Sequence, residues 1–121
     1  MRDLLNNSTQ KDLLPAKQRT AATYNGTGVD LKGKGRKVLI LLSAGNFGAS
    51  ATLDVTIEES LDNTTFTTLY TFTQKTAAGS LVVDVAPTKR YIRATGVVGV
   101  AAVDFGVWGI VYNEREIPSG I

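Results

Sequence analysis

The residues able to do chemistry are few and badly placed for it. The chain has no histidine and no cysteine. That removes thiolate nucleophiles, disulfide staples, zinc sites built on Cys or His, and the commonest general base. Glu58, Glu59 and Asp62 are the tightest carboxylate group. Neighbouring residues of a strand point to opposite faces, so Glu58 and Glu59 do not converge on one ion or substrate, and the calcium-loop pattern of an EF-hand is absent. Ser43, Ser50, Ser60 and Ser80 lack a base to activate them, and no G-x-S-x-G turn occurs. Lys32-Gly33-Lys34-Gly35-Arg36 alternates glycine with base. It lacks the Gly-Lys-Ser/Thr ending of a phosphate loop, and no helix-forming run follows it. Lys89-Arg90-Tyr91-Ile92-Arg93 mixes bases with an aromatic, but the signature of RNA-binding sheets is missing. Trp108 reads as a core or interface side chain. Nothing assembles a nucleophile, a base and an oxyanion donor, so no enzyme, metal or cofactor is expected.

The elements that carry these residues are strands. The clearest unit is 51–73: Leu53, Val55 and Ile57 alternate with Thr52, Asp54, Thr56 and Glu58, then Leu61-Asp62-Asn63-Thr64 supplies turn chemistry, and a Thr- and aromatic-rich run follows. This predicts a β-hairpin. Short β-prone runs precede it at 20–24 and 29–31, separated by Asn25-Gly26-Thr27-Gly28, where glycine is free to take positive φ. Residues 37–43, KVLILLS, form a continuous apolar run of strand length and predict a fully buried central strand. Strands follow at 81–86 and 89–95, the latter with Tyr91 and Arg93 on one face. The Gly-Val segment 96–101 reads as a connection. Residues 102–112 predict a long strand with Val103, Phe105, Val107 and Val111 on one face and Trp108, Ile110 and Tyr112 on the other. Both faces are partly apolar, so cover on both sides is expected. About seven or eight short strands with no convincing helix make an all-β sandwich or small barrel.

Residues 1–19 look different. Two leucine pairs, Leu4-Leu5 and Leu13-Leu14, sustain neither a helical nor a strand period, and Pro15 would interrupt a helix. An extended N-terminal arm is expected at 1–19, a β-domain at 20–113 and a polar tail at 114–121. The leucines would anchor the arm on its own domain or on a neighbour, because each gains roughly 1.5–3 kcal/mol on burial. The net charge of +2 is uneven: residues 1–36 hold seven bases against three acids, and the remainder six against eight. A basic leading segment fits an arm lying on an acidic protein surface, a solubilising tail, or nucleic acid. No run is long and apolar enough for a transmembrane helix, and the N-terminus lacks the apolar core of a signal peptide. A cytosolic product is expected, unless it leaves inside a larger assembly.

Three pieces in order carry a resemblance: N-G-T-G-V-D-L-K-G at 25–33, E-E-S-L-D-N-T-T-F at 58–66 and K-R-Y-I-R-A at 89–94, closed by a hydrophobic strand. Together they resemble small jelly-roll-like capsid decoration (cement) proteins of tailed bacteriophages. The second piece is similar to an S-D-D-G-T-T-F hairpin, from which Leu61 and Asn63 depart. The resemblance covers 20–113. It implies a jelly-roll-like antiparallel sandwich that clusters on a phage head and binds across subunits of the major capsid protein. On that reading the capsid contact is the arm (Leu4, Leu5, Leu13, Leu14, Arg19). Self-association into a dimer or trimer would use Tyr91, Arg93 and Trp108. The protein would sit on the head surface, after a stay in the host cytoplasm during assembly. The alternatives are another virion part (a head–tail connector, or a tail or fibre-associated β module) and, less favoured, a sandwich that binds nucleic acid or carbohydrate. No membrane partner is expected.

Overall fold

The computed structural model describes residues 8–31 and 37–112, with the side chains of 12–31 and 37–111. Among the described residues nine strands run in order: β1 (Ser8–Arg19), β2 (Ala22–Asn25), β3 (Val29–Asp30), β4 (Lys37–Phe47), β5 (Thr52–Ser60), β6 (Thr67–Thr71), β7 (Gly79–Val85), β8 (Tyr91–Gly99) and β9 (Val103–Tyr112). Two antiparallel sheets result. Sheet A has the order β1-β9-β4-β7; sheet B has the order β2-β8-β5-β6, with β3 also pairing β8. With β2 and β3 as halves of one interrupted strand, the pairs nest: first with last, second with second-last, then β4 with β7 and β5 with β6. The chain is one long hairpin rolled into a sandwich, which is the jelly-roll winding.

Period-two sequence explains the layers. Leu53, Val55 and Ile57 of β5 and Ile92, Ala94 and Val98 of β8 point inward from sheet B. They meet Val38, Ile40 and Leu42 of β4 and Val103, Phe105, Val107 and Val111 of β9. Side chains of the two inner faces interdigitate, as sandwich cores do. Among the described residues, three non-glycine residues turn at positive φ: Ser50, Asn63 and Val100.

Three expectations need correction. The first is the arm. Ser8–Arg19 is not an appendage before a domain that starts at 20; it is an edge strand of sheet A, paired with β9 from Ser8↔Tyr112 to Arg19↔Val103. Two register shifts, between Asp12 and Leu14 and between Leu14 and Lys17, conceal it from a period-two reading. Bulges let successive side chains turn the same way, so Leu13 and Leu14 both enter the core. Pro15 sits among them at a sheet edge, where a missing N–H is tolerated. Leu4 and Leu5, the 32–36 loop and the 114–121 tail lie outside the described residues.

The second correction concerns β4. It is central in sheet A, but only Val38, Ile40, Leu42 and Ala44 are buried; Leu39 is half-buried and Leu41 exposed. The open face continues onto β9, where Ile110 is exposed, so neither strand is covered on both sides. The third concerns 96–99, which is the second half of strand β8 and pairs with β2 and β5.

Gly26 is needed for a different reason from the one its turn-like context suggests. Its φ is not positive. Its N–H donates to the Ala94 carbonyl at 2.8 Å, and a Cβ there would run into the Leu13 carbonyl and lie 3.0 Å from that of Ala94. Only a bare backbone fits between bulged β1 and β8.

Candidate binding surface

Arg19 closes the bulged strand. It is 4% exposed. Its guanidinium donates to the Phe105 carbonyl at 2.9 Å and to the Pro15 carbonyl at 2.6 Å. It lies over the Phe105 ring at 4.7 Å and the Tyr24 ring at 5.7 Å. The bulge leaves carbonyls without strand partners, and a planar cation with several donors satisfies them. Burial lowers the Arg19 pKa and the nearby Tyr24 opposes that shift. Arg19 is thus an internal clasp, not a capsid contact, and the buried Leu13 and Leu14 are likewise unavailable to a partner.

The outer face of sheet B is mostly polar, with Val97 exposed among its polar residues, and its arginines are paired. Arg93 pairs with Glu58 at 2.7 Å and stacks over Phe66 at 4.0 Å. Thr95 donates to the same Glu58 oxygen at 2.9 Å. Arg90 grips Asp30 with two hydrogen bonds of 2.9 and 2.8 Å and lies over Tyr91 at 5.3 Å. That paired carboxylate raises the Arg90 pKa. Lys89 donates to Thr67 at 3.0 Å. The basic cluster at 89–93 is therefore engaged within the protein, not held open for phosphates. Glu59 leaves the strand on the opposite side from Glu58, is buried, and accepts the Thr88 N–H at 2.8 Å. Among the described residues no three acidic side chains gather into a metal cradle.

The turn that closes β5 and β6 is built by side chains. The Ser60 hydroxyl accepts the N–H groups of Asp62 and Asn63 and donates to Asp62 Oδ1 at 2.9 Å. Asp62 Oδ1 accepts the N–H groups of Thr64 and Thr65, each at 2.9 Å. Donors to the charged form hold the Asp62 carboxyl down at about 2. Asn63, at positive φ, takes the place a glycine would fill in the resembled hairpin.

The outer face of sheet A is the contrast. In register, Leu41 lies between Trp108 of β9 and Val82 of β7, and Leu39 lies between Ile110 and Asp84. Leu39, Leu41, Val82, Trp108 and Ile110 line one shallow depression. Leu41 is 36%, Ile110 38% and Val82 61% exposed. Toward the other end the face turns small and polar at Ser43, Ser80 and Gly106. Trp108 leans that way: a Cβ on Gly106 would stand 2.9 Å from its ring edge. Trp108 therefore lies on the opposite side of the sandwich from Tyr91 and Arg93, and these three do not form one self-association surface. The sequence did hold a signal for the apolar patch. KVLILLS is apolar at positions where a one-sided strand would carry polar residues.

No protein-family model matches this chain, and no curated protein matches it in sequence. Solved structures do match in fold. The PBSX exported protein XepA superposes with a TM-score of 0.70 at 23% identity, over 93% of this chain and 40% of its own. The SPBc2 prophage-derived protein YomS gives 0.61 at 14% identity, over 88% and 93%. VP2 of infectious bursal disease virus gives 0.62 at 12% identity, over 92% and 32%. The chain thus spans less than half of XepA and about a third of VP2. At these identities the likeness is one of fold: a jelly-roll sandwich that also occurs in prophage-derived and viral capsid chains.

Proposed function

We propose that this protein is a non-enzymatic structural component of a phage particle, a decoration or cement protein that binds the head surface across subunits of the major capsid protein. One observation carries the reading: an apolar face left open on sheet A, opposite a sheet whose Lys89, Arg90 and Arg93 are engaged within the protein. Contiguous exposed apolar surface marks a binding site for another macromolecule. The contact is assigned to the outer face of sheet A, around Leu41, Val82, Trp108 and Ile110, in place of a leading arm. The resemblance of 20–113 to phage decoration proteins supports it. So does the sandwich shared with prophage-derived and capsid chains, as a matter of fold.

The physics of such a role is simple. A ligand that binds only the assembled shell stabilises it by mass action. Many copies on one shell add through avidity. A standard contact of on the order of 1,600 Å² in total needs about half that area from each partner.

The test is composition and position. Virions that carry this gene should contain the protein in a fixed ratio to the major capsid protein, with gold-labelled antibody over the head. Label confined to the tail or neck would move the protein to another virion part. Absence from purified virions would end the proposal.

A further inference from the structure

The two edges of sheet A are treated unequally. β1, at one edge, carries two register shifts, Pro15 and Lys17. These are the devices by which edge strands refuse new partners. The edges of sheet B are short: β2 and β3 have four and two residues, and β6 has five beside a register shift. β7 has none of these protections. Its seven residues, GSLVVDV, pair with β4 from Val38↔Val85 to Ala44↔Gly79 without a shift. It holds no proline and no lysine, and Asp84 is its one charge. Among the described residues nothing pairs with its other side.

We infer that β7 is a self-association edge, where a second copy of this chain adds its own β7 antiparallel about a two-fold axis. Full overlap of Gly79–Val85 with itself centres the axis on Val82. Three features of the strand fit that occupant. Val82, 61% exposed, meets its own copy, so an apolar side chain is covered at the axis. Asp84 falls opposite Ser80 of the other strand, so no like charges face one another. The inward row pairs Leu81 with Val83, so both faces keep their character, as the period of two requires. Both outer faces of sheet A then lie on one side of a continuous sheet, and the patch from Ile110 to Val82 is doubled. A two-fold contact of this kind is self-complementary by construction. The inference stands independently of the capsid reading; if both hold, the dimer presents two apolar faces to neighbouring subunits.

The experiment uses the full chain alone in buffer. Sedimentation equilibrium should give a concentration-dependent dimer of the 12.9 kDa chain. Val82→Lys should weaken it at least tenfold, by placing two like charges at the axis, with the far-ultraviolet spectrum kept, and the melting temperature kept at concentrations where both proteins are monomeric, because Val82 is an exposed site. The absence of native cysteine permits a sharper measurement. Val82→Cys should cross-link to a dimer on mild oxidation, because directly paired antiparallel residues fall within disulfide range. Val97→Cys, exposed on sheet B, should not. A chain that stays monomeric at millimolar concentration would overturn the inference. So would a dimer indifferent to Val82→Lys, or one that cross-links through Val97→Cys and not Val82→Cys. Leu41→Glu, on β4 and off the β7 edge, should keep the dimer, so its effect on head binding tests the capsid reading separately.

Discussion

The two outer faces of this sandwich answer the same physical problem in opposite ways. Sheet B meets water with charge pairs and hydroxyls: Arg93 with Glu58, Arg90 with Asp30, Lys89 with Thr67. Sheet A meets it with Leu41, Val82 and Ile110. Both faces grow from equally regular period-two strands around one core, so folding alone does not call for the difference. On the proposed function, the asymmetry marks sheet A as the face a partner would cover.

The comparison is broken most severely by loosening the strand that widens sheet A. Arg19→Ala strips the donors from the Pro15 and Phe105 carbonyls and removes the cation from between two rings. An unsatisfied buried polar group costs about 1–3 kcal/mol, so a loss of about 3 kcal/mol is expected, on the order of 10 °C in Tm. Hydrogen exchange should quicken first in β1 and β9, while β5 and β8 hold. Uniform acceleration across both sheets would mean that Arg19 does not act locally. Next comes Leu41→Glu. A charge at the centre of the apolar face should weaken head binding by about 2 kcal/mol or more, the scale of an interface hot spot. It should change folding stability by less than about 1 kcal/mol, since Leu41 already touches water. Val97→Glu on sheet B is the matched control and should leave binding alone. Equal losses from the two would erase the distinction between the faces. Smaller again is Glu58→Ala, which unpairs half-buried Arg93 and Thr95. About 1 kcal/mol is expected, reduced by solvent screening. Arg90→Ala, at a more exposed pair, should leave Tm unchanged within error.

How much of this was legible in advance differs by region for physical reasons. The hairpin of β5 and β6, and the two-faced pattern of β9, follow from alternation alone. β1 does not, because its two bulges place Leu13 and Leu14 on the same side and break the period that identifies a strand. Its strand character appears only when β9 needs a second partner to complete the winding. The buried Arg19 was equally hidden: a basic side chain in a basic segment reads as surface, and only the bulge's spare carbonyls explain its position. Residues 37–43 misled in the other direction. A continuous apolar run implies two covered faces when the monomer is taken as complete, yet here the second cover is what a partner would supply. Tyr91, Arg93 and Trp108 are strand residues of the right type for an interface, but the assignment of strands to sheets decides sidedness, and no spacing rule reveals it.

A pH effect probes the turn of sheet B, where internal hydrogen bonding reaches into the loop. Asp62 has a folded pKa near 2 against an ordinary value of 3.8 because backbone N–H groups of Thr64 and Thr65 and the Ser60 hydroxyl favour its charged form. A carboxyl with a lowered folded pKa binds its proton more readily when unfolded. Its stabilising contribution is therefore complete above about pH 4 and declines as pH falls toward 2. Melting temperatures taken from pH 5 to pH 2 should show that decline in the native protein, and Asp62→Asn should flatten part of it. Head binding by sheet A should not depend on Asp62, so Asp62→Asn should leave the pH profile of binding unchanged, Asp84 beside Leu39 being the acidic group on that face. If Asp62→Asn changes that profile, the hairpin turn belongs to the contact, and the division between a finished face and an unfinished one is drawn in the wrong place.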